Sequence, residues 1–210
     1  MIHDLTEGKP AKQLWLFSMP MLLSVVFQQM YNIVDSVVAG QCVGEDALAA
    51  VGSSYPITMI FMAIATGMNI GCSVIISQYF GAKKLREMKT AISTSLISVL
   101  GISVVLTIGG LAFCRLLLDL LNTPENIFAD SMLYLQVYLY GLVFLFLYNI
   151  CNGIFTALGD SKTPLYFLIG SSIGNIFLDM LFVAVFHWGV AGVAWATFLC
   201  QGISCVLALV

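Results

Sequence analysis

Long hydrophobic runs separated by short polar segments dominate the chain. Six runs extend for 20 or more residues, at positions 14–39, 56–80, 91–118, 133–158, 165–186 and 190–210. A helix of that length crosses the hydrocarbon core of a bilayer, which is about 30 Å thick. The pattern therefore predicts an all-α, polytopic membrane helix bundle with six transmembrane helices, whose first partner is the lipid bilayer.

Composition and charge agree with this prediction. Hydrophobic residues make up 60% of the chain and charged residues 9%, with a mean hydropathy of +0.99, which excludes a soluble globular protein and leaves nucleic-acid binding without support. Seven of the eight basic residues precede helix 1 or lie in the loops after helices 2 and 4, and only Arg115 lies on the other side. The positive-inside rule then predicts a cytoplasmic N-terminus.

Proline and glycine predict several local features. Thr163 followed by Pro164 predicts the start of helix 5, with the threonine hydroxyl as the N-cap. Pro20 lies inside helix 1 and leaves a backbone carbonyl unbonded, so either a hinge or an ordinary static kink is expected there. The four-residue spacing of Gly67 and Gly71 is typical of close helix packing.

Two carboxylates, Asp35 and Asp179, lie within the membrane-spanning runs. An acid there costs roughly 2.5 to 3.5 kcal/mol on insertion scales, so an ion, proton or substrate site is its default interpretation. If the carboxylate titrates near neutral pH it carries a proton, and if it stays ionised it can bind Na⁺. Both ions remain open, and no other metal or cofactor is predicted.

Neutral polar residues also recur within the runs, at the three- and four-residue spacing that places side chains on one helix face. Hydrogen bonds between helices are one interpretation of these residues, and the lining of a polar cleft is the other. The positions are Gln28, Asn32, Asn69, Tyr138, Asn149, Asn152, Asn175 and Thr197.

A set of short motifs follows in a fixed order along essentially all 210 residues. The motifs are Pro20, Asp35, Gly40-Gln-Cys-Val-Gly44, Ala47-Leu-Ala-Ala-Val51, Ser77-Gln78-x-x-Gly81 and Ala157-Leu-Gly159-Asp160-x-Lys162-Thr163-Pro164. In this order they resemble the multidrug and toxic compound extrusion (MATE) transporters. The resemblance implies a cation-coupled exporter with two six-helix lobes around a cleft that opens alternately to each side of the plasma membrane, here the cytoplasmic membrane of a prokaryote. Residues 1–210 are then expected to form one lobe, without the C-terminal lobe, beside a second lobe from the same protein or another copy.

The resemblance also implies roles for individual residues. The coupling site of proton-driven members corresponds to Asp35, Asn175, Asp179 and Thr197. We expect these four around one interior cavity, with the two carboxyl groups within about 10 Å, and Pro20 as the hinge. The exported compounds would be small organic cations, drugs or metabolites. The candidates for the wall of their cleft are Gln28, Asn32, Asn69, Tyr138, Asn149 and Asn152.

Two other functions remain as alternatives. A flippase for lipid-linked sugars, from the same superfamily, would carry several basic residues in its cleft, whereas here only Arg115 lies near the edge of a span. An intramembrane aspartyl protease could use Asp35 and Asp179 as its dyad, but Val34 and Leu178 precede these acids where that class has Tyr-Asp and Gly-x-Gly-Asp motifs. The chain is therefore predicted to be a transporter and not an enzyme.

Overall fold

The computed structural model describes residues 10–38, 40 and 43–209, without the side chains of residues 10, 12, 13, 31, 32, 35 and 38. Helices form nearly all of this part of the chain, and no strand occurs in it. They are α1 (Pro10–Val38), α2 (Glu45–Gly81), α3 (Leu85–Leu120), α4 (Glu125–Ala157), α5 (Lys162–Asp179), a π-helical turn (Met180–Val185) continuous with α5, and α6 (Val190–Leu209). The prediction of an all-α bundle is confirmed.

Five of these helices, α2 to α6, are long and apolar enough to cross a membrane, taking α5 together with its π-helical turn. The apolar stretch of α1, Leu14–Met30, is shorter and lies at the lower limit for a spanning helix. Five of the six predicted spans are therefore supported by length and composition, and the span in α1 stays a prediction.

Several helices begin earlier than hydropathy predicted. The predicted start of helix 2 at Pro56 is wrong, because α2 begins at Glu45 and Pro56 lies inside it. Glu45 and Asp46 lie in its first turn, where negative charge stabilises the helix dipole. The extension is held against α4 by the hydroxyl pair Ser53 and Ser131, whose oxygens are 2.8 Å apart. Helices α3 and α4 likewise begin at residues 85 and 125 rather than at 91 and 133.

The start of α5 also differs from the prediction, because Thr163 is not the N-cap. One oxygen of Asp160 accepts hydrogen bonds from the backbone N–H groups of Lys162 and Thr163, at 3.1 Å each. The Thr163 hydroxyl donates to the other oxygen at 2.8 Å. Partial burial raises the pKa of Asp160, but hydrogen bonds, including two from Thr163, and positive charge lower it, and the net shift is below the usual value. Asp160 is therefore the residue that caps α5.

Helix α4 lies at the centre of the bundle. It packs against α2, α3 and α6, while α5 packs between α1 and α6. Its core side chains are almost completely buried, among them Leu135, Leu139, Leu142, Phe146 and Ile150. The packing order places the acid-bearing helix α5 beside the central pair α4 and α6.

Close contacts between helices depend on glycines other than those singled out by spacing. Nothing in the described structure lies within 4 Å of a Cβ built on Gly67 or Gly71, so the prediction of close packing there is wrong for this part of the chain. A Cβ on Gly153 would instead collide with the side chains of Asn69 and Ser73. Helices α2 and α4 thus approach closely at Gly153.

The bundle has a basic end and an acidic end. Helices α2 and α4 run in the same direction, because Ser53 meets Ser131 near their starts and Asn69 lies against Gly153 nearer their ends. The turns that follow α2 and α4 therefore lie at the same end. The exposed basic residues there are Lys83, Lys84, Arg86, Lys89 and Lys162, and the exposed charged residues at the other end are Glu45, Asp46, Arg115, Asp119, Glu125 and Asp130.

Candidate functional site

A buried polar pair lies on the inner face of α5. Asn175 is 2% exposed and Asp179 is 0% exposed, and their four-residue spacing places them one helical turn apart on the same face. The spacing predicted that both side chains point into the bundle, and they do. An ionised carboxylate in such a place costs free energy unless a cation or hydrogen bonds stabilise it. Without them the group holds a proton and stays neutral.

Helix α6 adds a residue that sequence reasoning missed. The Cys200 thiol is within hydrogen-bonding reach of the Asn175 side chain and close enough to Asp179 to sense its charge. It also lies 3.8 Å from where a Cβ on Gly174 would be. The cysteine is itself buried, and in the sequence it resembled an ordinary packing residue. No pattern of spacing pointed to it, because its importance comes only from the contact between two helices.

The backbone changes immediately after Asp179. Residues 180–185 form a π-helical turn, in which the Phe186 N–H donates to the Leu181 carbonyl oxygen, five residues earlier, at 3.0 Å. The start of α6 packs tightly on this turn, since a Cβ on Gly192 would lie 3.1 Å from Val183. Asp179 is thus the last residue before a local widening of its helix.

Thr197 lies in a cleft between α4 and α6. The cleft has about 230 Å³ of empty space and is lined by Tyr134, Val137, Tyr138, Gly141, Ala194, Thr197, Phe198 and Gln201. That space includes open solvent, and a water-sized sphere can be centred in only about 10 Å³ of it, far below the range of roughly 300 to 1,000 Å³ that is usual for small-molecule sites. The cleft within the lobe is therefore too small to enclose a drug-sized molecule in this conformation.

Three of the predicted cleft residues make contacts within the bundle. The Tyr138 hydroxyl donates to the backbone carbonyl of Thr58 on α2 at 3.4 Å, and the Asn149 side chain donates to the Leu145 carbonyl at 2.9 Å. The Asn69 side chain accepts a hydrogen bond from Ser73 at the close approach of α2 to α4. These contacts fit the interpretation of the residues as links between helices or to their own backbone.

The remaining predicted residues are placed as follows. Asn152 is half-buried beside the hydroxyl of Tyr148, one turn earlier on α4. Gln28 on α1 is exposed. The side chains of Asn32 and Asp35 are outside the described residues, so the predicted meeting of Asp35 with Asn175, Asp179 and Thr197 is untested.

Pro20 is half-buried inside α1. The Ser24 hydroxyl donates to the Pro20 carbonyl at 2.9 Å. Because proline has no N–H, it cannot bond the carbonyl of Leu16 one turn earlier. The helix continues through this position, so the interruption of the hydrogen-bond ladder is local, and its use as a hinge stays a prediction.

The long apolar helices are those of an integral membrane helix bundle, and this bundle encloses the fully buried carboxyl group of Asp179. The profile of the MatE family matches residues 20–181, and the chain belongs to this family of MATE transporters. The probable multidrug resistance protein YpnP of Bacillus subtilis (strain 168) is 37% identical over 202 residues, which are 96% of this chain and 45% of that protein. The probable multidrug resistance protein YoeA of the same organism is 35% identical over 200 residues, 91% of this chain and 43% of that protein.

A solved structure confirms the architecture. The outward-facing conformation of a multidrug resistance MATE family transporter of the MOP superfamily is 29% identical and superposes with a TM-score of 0.91 over 96% of this chain and 44% of that one. The chain thus has the fold of part of a MATE transporter. It spans less than half the length of the curated relatives it matches.

Proposed function

We propose that this chain is one lobe of a cation-coupled antiporter that exports small organic cations, drugs or metabolites, by alternating access. One observation carries the proposal: Asp179 is completely buried, one turn after the buried Asn175, in a membrane-spanning helix of a MATE family protein. A carboxylate in such a place is typical of ion and proton pathways.

In this proposal Asp179 binds the coupling ion, which is H⁺ or Na⁺. Asn175 orients the carboxylate or supplies an amide oxygen to the ion, and Asp35 and Thr197 complete the site. Antiport requires that the ion and the substrate occupy the protein alternately. This happens when binding of one disfavours binding of the other, because the two are then not carried across the membrane together. A protonated or Na⁺-bound carboxyl group is neutral, which removes the attraction for a cationic substrate.

The cleft for that substrate would lie outside the small cavity between α4 and α6. The exposed Gln28 on α1 is a better candidate for its wall than Asn69, Tyr138 or Asn149, whose hydrogen bonds are already made inside the bundle. Asn32 and Asn152 stay candidates.

A second six-helix lobe in the same orientation would form the other wall of the cleft. Helix α1 supports this part of the proposal, because its main packing partner is α5 and large apolar side chains along it are exposed, including Leu16, Leu22, Val26 and Ile33. The length of the relatives supports it too, since they are more than twice as long as the matched region. The second lobe would come from the same protein or another copy.

The membrane would be the cytoplasmic membrane of a bacterium, with the basic end of the bundle in the cytoplasm. Labelling from outside with a membrane-impermeant maleimide tests this orientation. Glu125→Cys, at the acidic end, should react in intact cells, and Lys83→Cys, at the basic end, should react only after the cells are opened. The reverse pattern would show that the orientation is wrong.

Membership of the MATE family favours this function over the two alternatives. A flippase for lipid-linked sugars needs basic groups for phosphate, and Arg115, at an end of the bundle, is the only described lysine or arginine away from the basic end. An aspartyl protease needs a dyad with water between two acids, and family membership gives no reason to expect catalysis by this chain.

The test is transport by the full-length protein in proteoliposomes, with ethidium as the cation and H⁺ and Na⁺ gradients imposed separately. Wild-type protein should move ethidium against its gradient with one of the two ions. Asp179→Asn, which keeps the shape of the side chain but cannot be ionised, should abolish ion-driven transport. The control is Asp130→Asn, which removes an exposed carboxylate on α4 and should change nothing. If Asp179→Asn transports as well as Asp130→Asn under both gradients, Asp179 does not couple transport.

A further inference from the structure

A cluster of exposed basic residues surrounds the turn between α2 and α3. We call Lys83, Lys84, Arg86 and Lys89 the basic patch; all four are exposed, while Met88 between them is buried at 8% exposure. Burial of Met88 fixes the rotation of the first turns of α3, and it keeps Arg86 and Lys89 turned outward. None of the four residues forms an ion pair with the described part of the chain.

The turn that carries the basic patch is firmly bonded. The N–H groups of Lys83 and Lys84 donate to the carbonyls of Phe80 and Tyr79, at 3.0 Å each, and the Met88 N–H donates to the Lys84 carbonyl at 3.0 Å. Lys83 has a φ of 58°, a left-handed conformation that lets the chain reverse between the two helices. The positions of the basic groups are therefore set by the backbone, and only their side chains are free to adapt.

The charge of the patch is opposed by few acids. Glu87 is the acid within it. At the same end, Asp160 directs both carboxylate oxygens to the backbone and hydroxyl of the α5 cap, and the exposed Lys162 adds another positive charge. This end of the bundle is therefore strongly positive, unlike the acidic end.

The patch is held at the surface of the membrane. It directly joins two helices that are long and apolar enough to cross a membrane, and their hydrophobic runs end at position 80 and resume at position 91, so the patch lies next to the expected surface of the bilayer. Leu85, in the middle of the patch, is 56% exposed. An exposed leucine among basic groups is suited to the boundary between lipid tails and headgroups. Lysine and arginine are suited to it as well, because their aliphatic stems can contact the tails while their charged ends reach the headgroups.

We propose that the basic patch binds the headgroups of anionic phospholipids in the leaflet at this end of the protein. The phosphate and the net negative charge of such a lipid complement the four basic groups, and Leu85 contacts its acyl chains. Clusters of four or more lysines and arginines beside a membrane span are attracted to anionic lipid, by up to about fivefold in affinity per charge at low salt. This surface is separate from the coupling site, so the proposal does not rest on the proposed transport function.

Lipid selectivity of the full-length protein tests the proposal. The protein is reconstituted in phosphatidylcholine vesicles with a trace of spin-labelled phosphatidylglycerol or phosphatidylcholine, and electron paramagnetic resonance measures the fraction of each lipid held at the protein. Wild-type protein should prefer phosphatidylglycerol. The quadruple variant Lys83→Gln, Lys84→Gln, Arg86→Gln, Lys89→Gln should lower that preference at least about threefold, and high salt should lower the wild-type preference in the same direction.

Three controls keep the result interpretable. Arg115→Gln removes an exposed basic group at the acidic end and should leave the preference unchanged. Replacing Lys83, Lys84 and Lys89 by arginine keeps the charge and should keep the preference, which shows that loss of charge rather than misfolding explains the quadruple variant. An unchanged preference in the quadruple variant, or an equal loss in Arg115→Gln, would overturn the proposal. So would displacement of the labelled lipid by millimolar inorganic phosphate, because the patch would then be a general phosphate site.

Discussion

Replacing Asp160 by alanine should destabilise the protein at the base of the helix that carries the candidate coupling site. The substitution removes the acceptor for three hydrogen bonds, two from backbone N–H groups at 3.1 Å and one from the Thr163 hydroxyl at 2.8 Å. The two backbone groups are among those that a helix N-terminus leaves without partners. Their loss should loosen the first turn of α5.

The magnitude follows from these contacts. Loss of an N-capping side chain costs about 1 kcal/mol, in a range of roughly 0.5 to 2. The hydrogen bond from the Thr163 hydroxyl to the ionised carboxylate adds to this cost. Because Asp160 is half-exposed, solvent screening reduces the free energy that this bond contributes. We expect Asp160→Ala to cost about 1 to 2 kcal/mol at pH 7. Asp160→Asn keeps one acceptor oxygen for the backbone and should cost about half as much.

The effect of Asp160→Asn should depend on pH in a defined direction. Burial raises the pKa of Asp160, but hydrogen bonds, including those from Thr163, and positive charge lower it by more in total, so the pKa in the folded protein is below that in the unfolded chain. The stability that ionised Asp160 contributes is therefore fully present above the unfolded pKa of about 3.9, and it is lost as the pH falls through the lower, folded pKa. The difference in stability between wild type and Asp160→Asn should persist from pH 7 to about pH 5 and shrink below about pH 4.

Equilibrium unfolding in mixed micelles, with SDS as denaturant and circular dichroism as the readout, measures these differences in the full-length protein. Thr163→Val completes a double-mutant cycle, since it removes the hydroxyl and keeps the shape of the side chain. If Asp160→Ala is as stable as wild type at pH 7, or if Asp160 and Thr163 show no coupling in the cycle, Asp160 does not cap α5 as described.

Three further predictions concern packing, motion and coupling. Gly153→Ala should cost about 1 to 3 kcal/mol because its methyl group collides with Asn69, whereas Gly101→Ala, in open space, should cost nothing; equal SDS midpoints would contradict the close approach of α2 and α4. Pro20→Ala should restore the helical bond to the carbonyl one turn earlier and slow ethidium transport while leaving ethidium affinity unchanged; an unaltered rate would exclude a hinge. Asp35→Asn should abolish ion-driven export in a folded protein, and normal transport with normal pH dependence would show that Asp35 is structural.

The sequence predicted the number of helices but not their ends. Hydropathy detects only the part of a helix that lies in lipid, so it missed the start of α2, where Ala50 and Ser54 are buried against α4 rather than against lipid. Thr163 was a reasonable N-cap by residue type. Asp160 took that role because a carboxylate accepts several hydrogen bonds at once.

The candidate site was predictable only where it depends on one helix. The spacing of Asn175 and Asp179 was enough to predict that both face the interior, because that is a property of α5 alone. Cys200 depends on how α6 is rotated against α5, and the π-helical turn after Asp179 depends on the packing of Gly192 against Val183. Neither leaves a signal in a single sequence.

The central claim is that Asp179 binds the ion that is exchanged for the substrate, and ion release on substrate binding tests it most directly. Full-length protein in detergent, in weakly buffered solution with a pH indicator, is mixed with ethidium, and the affinity for ethidium is measured with and without Na⁺. Wild-type protein should release protons when ethidium binds, or bind ethidium more weakly in Na⁺, and Asp179→Asn should bind ethidium without either response. Proton release or Na⁺ competition of wild-type size in Asp179→Asn would contradict the account.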